Sequence, residues 1–124
     1  MKNKSDILIM RPGGRHIEGL HDLCKFIGDS KERSIVEIGS YSGESTILFA
    51  SYFGKVLSVD PWANGDHLFD PSASSDMSMV EEAFDKRTAA YDNIVKNKMF
   101  SHEFANTIPN GSIDVVYIDG DHTY

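Results

Sequence analysis

Three carboxylates and one imidazole stand where apolar runs of this chain come to an end. Glu37 lies inside VEIG, Asp60 follows VLSV, Asp119 follows VVYI, and His122 comes three residues later. A carboxylate offers acceptor sites to hydroxyls and a negative charge to a cation. An imidazole, with an unperturbed pKa of about 6.5, can take a proton near neutrality. The richest stretch is residues 36–46, VEIGSYSGEST, in which an apolar run stops at a turn from Gly39 to Gly43 and a helix opens through Glu44, Ser45 and Thr46. Such a strand–turn–helix passage brings unpaired N–H groups and bare backbone close to any ligand lying across it. Glu37 would repel a pyrophosphate at short range and attract a cation. Asp60 follows Gly39 by 21 positions, the distance at which an acid accepts both ribose hydroxyls of an adenosine ligand. Trp62 offers a ring that could cover the adenine. Simpler readings stand beside these: Asp60 as the opening of a turn before Pro61, and Trp62 as a half-buried aromatic.

The dinucleotide fingerprint G-x-G-x-x-G is not met. Position 37 is Glu, and only Gly39 and Gly43 remain. The turn and its acid point instead to S-adenosylmethionine, whose sulfonium and ammonium are both positive.

The elements that must hold these residues follow from periodicity and punctuation. Residues 1–15 form a lead-in with an apolar patch (Ile7 to Met10) broken by Pro12, Gly13 and Gly14. Ile17, Leu20, Leu23, Cys24 and Ile27 recur at helical spacing from His16 to Ile27, and Gly28 ends that helix. Ser34–Ile38 reads as a strand, Glu44–Tyr52 as a helix terminated by Gly54, and Lys55–Val59 as a second strand. A long polar loop spans Ala63–Ser78. Ser78 and Glu81 then form a capping box for a helix reaching about Lys96, its face drawn by Val80, Phe84, Arg87, Tyr91, Ile94 and Val95. A weak third strand is expected near Lys98–Phe100. A turn-rich connection from Ala105 to Asp114 leads to a last strand, Ile113–Ile118. This alternation, with continuously apolar strands, predicts an α/β fold: a parallel sheet flanked by helices. Ligands of such sheets sit at the strands' C-terminal ends, where the loops 39–43, 60–62 and 119–122 all fall.

At 124 residues the chain amounts to one domain at most. Its 40% hydrophobic and 25% charged residues are those of a globular protein. A net charge of −7 argues against a nucleic-acid binder. The basic residues Lys2, Lys4, Arg11 and Arg15 are too sparse to read as a binding arm. No apolar stretch reaches the ~18 residues of a membrane span, and the polar N-terminus has no signal-peptide core. A single cysteine, Cys24, excludes an internal disulfide and fits a reducing compartment, so a cytoplasmic protein is expected.

VEIGSYSGEST, then VLSVDPW, then IDVVYIDGDHTY resemble the class I S-adenosylmethionine-dependent methyltransferases. Within that class the chain is most similar to the branch of metal-dependent catechol-type and macrolide-type O-methyltransferases and cephalosporin-hydroxylase-like proteins. The likeness runs from about Gly19 onward. It implies that Glu37, Gly39, Ser40, Tyr41, Gly43 and Ser45 line the methionine end of the cofactor. It further implies that Asp60 holds the ribose and that Ser101 approaches the adenine. In the metal-dependent relatives the acid ending the fourth strand binds a divalent cation and a basic residue three positions on takes the acceptor's proton. Those positions match Asp119 and His122. A hard cation such as Mg²⁺ would lower the pKa of an acceptor hydroxyl, and His122 would remove its proton.

The class I fold has seven strands, whereas this sequence supplies about four, in the expected order 3-2-1-4. Residues 16–124 are therefore expected to be the N-terminal, cofactor-binding half of a Rossmann-like domain, truncated at its C-terminus. The expected function is methyl transfer to a small-molecule hydroxyl. The alternative is a non-catalytic cofactor-binding or interaction module that forms a homodimer through its open sheet edge, since a strand as apolar as Val115–Ile118 is normally covered.

Overall fold

The structure, a computed structural model, describes residues 15–63 and 77–118. The lead-in 1–14, most of the 63–78 loop and the last six residues lie outside the described residues. The elements run α1 (Arg15–Ile27), β1 (Ser30–Ile38), α2 (Glu44–Tyr52), β2 (Phe53–Asp60), α3 (Met77–Thr88), β3 (Ile94–Lys98), α4 (Ser101–Ala105) and β4 (Val115–Ile118). The four strands form one sheet in the order β3-β2-β1-β4, every adjacent pair parallel. The alternation of elements predicted the parallel sheet, and the resemblance predicted this Rossmann-like order.

Alternation along β1 assigns the two faces of the sheet. Ile35 faces α1 and α2 in a core with Leu20, Cys24, Leu48, Phe49, Phe53 and Val56. Val36 faces the other way, with Leu57, Val59 and Phe104 of α4. Phe49 and Phe53 are both 1% exposed and meet edge to face at 6.3 Å. Burying each contributes roughly 2–3 kcal/mol. Cys24 is buried and free, and burial pushes its thiol pKa up. Leu23, expected on the apolar face of α1, is instead 42% exposed.

Three sequence expectations are corrected. Gly54 does not terminate α2: the chain passes directly from α2 into β2, with extended Phe53 donating its N–H to Phe49 O. Glycine is required there because a Cβ would stand 2.1 Å from the Lys31 carbonyl, where the β1–β2 register shifts between Ser30 and Ser34. The helix expected to reach Lys96 stops at Thr88, and the third strand is Ile94–Lys98. Ile94 and Val95, placed on a helix face by spacing alone, pair with Val56 and Leu57. Their β-branched side chains suit a strand, and tertiary pairing decides between the two. Asn93 fixes the switch: its side chain donates to Ala50 O (2.9 Å) and Phe53 O (3.0 Å), and its own carbonyl accepts from Val56. The helix start is shifted as well, with α3 already beginning at Met77. Ser78 lies inside α3, and Glu81 pairs with Lys96 and Lys98 of β3.

On β4, Val116 and Ile118 are 56% and 70% exposed. Among the described residues no helix is long and apolar enough to cross a membrane.

Candidate functional site

β1 and β2 lie side by side in register, Ile38 opposite Val59, so the loops leaving their C-terminal ends emerge together. The first is the glycine turn. Gly39 donates its N–H to Val59 O at 2.8 Å, and Gly43 donates to Ser40 O at 2.9 Å. Gly43 has φ +86, in the left-handed region, and a Cβ there would stand 3.0 Å from the Phe84 ring. Both conditions select glycine. Gly43 is also the N-cap of α2 and provides no side-chain hydrogen bond.

Asp60 ties the second loop to the first. One carboxylate oxygen accepts the Tyr41 N–H at 3.0 Å and the other accepts the Trp62 N–H at 2.8 Å. Trp62 in turn donates its indole N–H to Tyr41 O at 2.7 Å. Tyr41 (φ 49) and Trp62 (φ 43) are the two non-glycine residues with positive φ among those described. Burial pushes the Asp60 carboxyl pKa up, the two backbone N–H groups pull it down, and the negative charge of Glu81 adds to the rise. Lys96 and Lys98 hold Glu81 below its usual range.

Glu37 is fully buried, at 0% exposure, beneath the turn. Its two oxygens accept the hydroxyls of Ser45 and Thr46 in the first turn of α2. It therefore lies beneath the turn, joined to the start of α2 through these hydroxyls. Ser58, opposite Glu37 in the sheet, is also fully buried. Its hydroxyl is the one buried side-chain polar atom without a hydrogen-bond partner among the described residues.

The structure brings Gly39, Ser40, Tyr41, Gly43, Ser45, Asp60 and Trp62 to one end of the sheet, with Glu37 beneath. Trp62 does not lie open for stacking: it is 4% exposed, with the Phe84 ring 4.7 Å away and Lys96 Nζ 5.1 Å from its centroid. Its role in this arrangement is to hold Tyr41. Ser101 begins α4, just beyond the end of β3, and is half-buried. Asp119 and His122 lie outside the described residues. Among the described residues no group of three or more His, Cys, Asp or Glu could hold a metal.

Sequence reasoning missed Thr46 and Arg87. Thr46 was legible in principle, being a hydroxyl one residue beyond Ser45. Arg87, whose guanidinium donates to Ser42 O at 2.7 Å from α3, gave no signal because 45 residues separate the pair.

The donor set fits a sulfonium nucleoside. Asp60 is 4% exposed, and each of its oxygens uses one acceptor site on a backbone N–H and keeps a second, the number a diol requires.

Residues 36–124 match a family described as "Methyltransferase domain". A search of curated proteins finds no match. Among solved structures, cofactor-bound Rv0187 from MTB superposes with TM-score 0.60 at 21% identity, covering 94% of this chain and 48% of that one. An rRNA methylase from Streptococcus thermophilus superposes with TM-score 0.53 at 18% identity, covering 90% of this chain and 51% of that one. The chain thus spans about half the length of these two proteins, and at such identities the likeness is one of fold. With the match covering residues 36–124, most of its length, this chain belongs to that methyltransferase-domain family.

Proposed function

We propose that this chain forms the S-adenosylmethionine-binding half of a cytoplasmic O-methyltransferase acting on a small-molecule hydroxyl. The observation that carries the cofactor assignment is the pair of hydrogen bonds that Asp60 accepts from the backbone N–H groups of Tyr41 and Trp62, which joins the two cofactor loops into one receptor. Asp60 takes the ribose diol, while Gly39, Ser40, Tyr41, Gly43 and Ser45 line the methionine end. Glu37 supplies a buried negative charge beneath the sulfonium. The bound cofactor supplies an electrophilic methyl, and the protein's contribution is to position it against the acceptor. One fold neighbour is described as an rRNA methylase. The net charge of −7 favours a small acceptor over a polyanion here. In the same reading Asp119 holds a divalent cation such as Mg²⁺ and His122 takes the acceptor proton.

Calorimetric titration with S-adenosylhomocysteine tests the core of this proposal. Saturable binding that Asp60→Ala removes is expected, and a wild-type chain that binds nothing sinks it. Repeating the titration with Mg²⁺ and then with EDTA tests the metal: identical curves remove the cation from the scheme.

A second reading draws on the exposed Val116 and Ile118 of edge strand β4. In that reading the chain is an interaction module that dimerises through this strand. Sedimentation should then show a dimer that Ile118→Lys dissociates, and a wild-type monomer at high concentration rules it out.

A further inference from the structure

We infer that Arg87, on α3 and outside the glycine motif, is the positioning residue of the cofactor turn. The inference rests on the cofactor reading above for its functional meaning. Its geometric basis stands without that reading.

Two successive carbonyls of the turn are gripped by side chains from elsewhere in the chain. Tyr41 O accepts the Trp62 indole N–H at 2.7 Å, and Ser42 O accepts Arg87 Nη1 at 2.7 Å. In a trans peptide the C=O and the following N–H point in opposite directions. Fixing these two carbonyls therefore fixes where the N–H groups of Ser42 and Gly43 point. The Gly43 N–H is directed to Ser40 O at 2.9 Å, as that constraint requires. The turn carries three residues of positive φ, Gly39, Tyr41 and Gly43, and at Tyr41 that shape must be held from outside to persist.

The same face of α3 supplies the rest of the support. Phe84 and Thr88 flank Arg87 at helical spacing, and both lie against Gly43: a Cβ added there would meet their side chains at 3.0 and 3.5 Å. Phe84 also packs on Trp62. A guanidinium beside a site for a cation would oppose binding if its charge were unanswered. Glu44, which accepts the Ser42 hydroxyl at 3.0 Å, interacts electrostatically with Arg87 and answers it.

A basic residue in the last turn of a helix can also serve simply to offset the helix dipole. Lys86 is the neighbouring basic residue of that last turn and pairs with Glu82 at 3.0 Å, so Lys86→Met removes a comparable dipole contribution without removing the Arg87 bond to the turn. The test compares Arg87→Met, Arg87→Lys and Lys86→Met with wild type. It reads S-adenosylhomocysteine affinity by calorimetry, folding by thermal unfolding, and the emission of Trp62, the chain's single tryptophan. We expect Arg87→Met to weaken binding about tenfold or more, the scale of one charged hydrogen bond. Its ligand-free Trp62 emission should shift to the red. Arg87→Lys, which keeps one donor, should recover part of the affinity, and Lys86→Met should bind like wild type. Arg87→Met binding within twofold of wild type overturns the inference. If that variant does not fold, Arg87→Lys decides: a weakened affinity supports the inference and a wild-type affinity overturns it. If the wild type itself binds no S-adenosylhomocysteine, the cofactor reading fails separately. The ligand-free emission then decides, since an unshifted Trp62 in Arg87→Met shows that Arg87 does not hold the turn.

Discussion

The carboxylate of Asp60 accepts the backbone N–H of Tyr41 at 3.0 Å, joining the end of β2 to the glycine turn after β1. Its other oxygen holds Trp62, so one side chain restrains two residues in the left-handed region. That backbone conformation costs roughly 1–2 kcal/mol per residue. Hydrogen bonds to a charged acceptor contribute about 1.5–3 kcal/mol each, enough to offset it.

Asp60→Asn should therefore lose more than a ligand contact. The amide keeps one acceptor oxygen and turns its NH₂ toward a backbone N–H, leaving one donor buried and unmet. A loss of about 1–3 kcal/mol in stability by denaturant titration is expected. S-adenosylhomocysteine affinity should fall at least tenfold. A variant that keeps both would show that Asp60 does not organise the site.

Cofactor binding should weaken in mild acid. Burial, aided by Glu81, raises the Asp60 pKa above its ordinary 3.8. The folded chain therefore binds this proton more readily than the unfolded one. Ionised Asp60 carries a folding penalty that is full above the raised pKa and disappears as pH falls to the unfolded value. Glu81 behaves oppositely: held below its ordinary 4.5, it contributes stability above that value and loses it as pH falls through the lowered one. A protonated Asp60 has fewer acceptor sites for the ribose, so affinity should drop while ordinary carboxylates are still ionised. Glu81→Gln should move that drop to lower pH, measurable as Kd against pH. An unmoved midpoint would show that Glu81 does not set it.

The charge of Glu37 should be felt as a preference between ligands. S-adenosylmethionine carries a sulfonium where S-adenosylhomocysteine carries a neutral thioether. Glu37→Gln should weaken binding of the former more than the latter, by about an order of magnitude or ~1.4 kcal/mol in the ratio. Equal losses for both ligands would reduce Glu37 to an anchor for Ser45 and Thr46.

Two glycine substitutions should separate site from scaffold. Gly43→Ala meets a left-handed φ and the movable ring of Phe84, so a loss of about 1–3 kcal/mol with weakened cofactor binding is expected. Gly54→Ala meets a backbone carbonyl at 2.1 Å, which cannot give way without opening the β1–β2 pairing. It should destabilise by more than ~3 kcal/mol in denaturant titration. The two ranking in the reverse order would contradict the register.

The sequence by itself determined the parallel sheet and the turn from Gly39 to Gly43, while the strand order came from the family resemblance. Those features rest on local chemistry: apolar runs make strands, and glycines mark where backbone must bend or approach closely. Asp60 was legible for a related reason, as an acid ending a strand at a fixed distance from that turn. Only the tertiary structure decided that Ile94 and Val95 join the sheet, since helical spacing and strand propensity compete in that segment until Val56 and Leu57 lie beside it. It alone placed Trp62 in the core rather than over an open cleft, and Glu37 beneath the turn rather than on its surface. Arg87 shows the reason most directly: its partner, Ser42 O, is a backbone carbonyl 45 residues away, and every residue type carries one. No side-chain pattern can announce such a contact before the chain has folded.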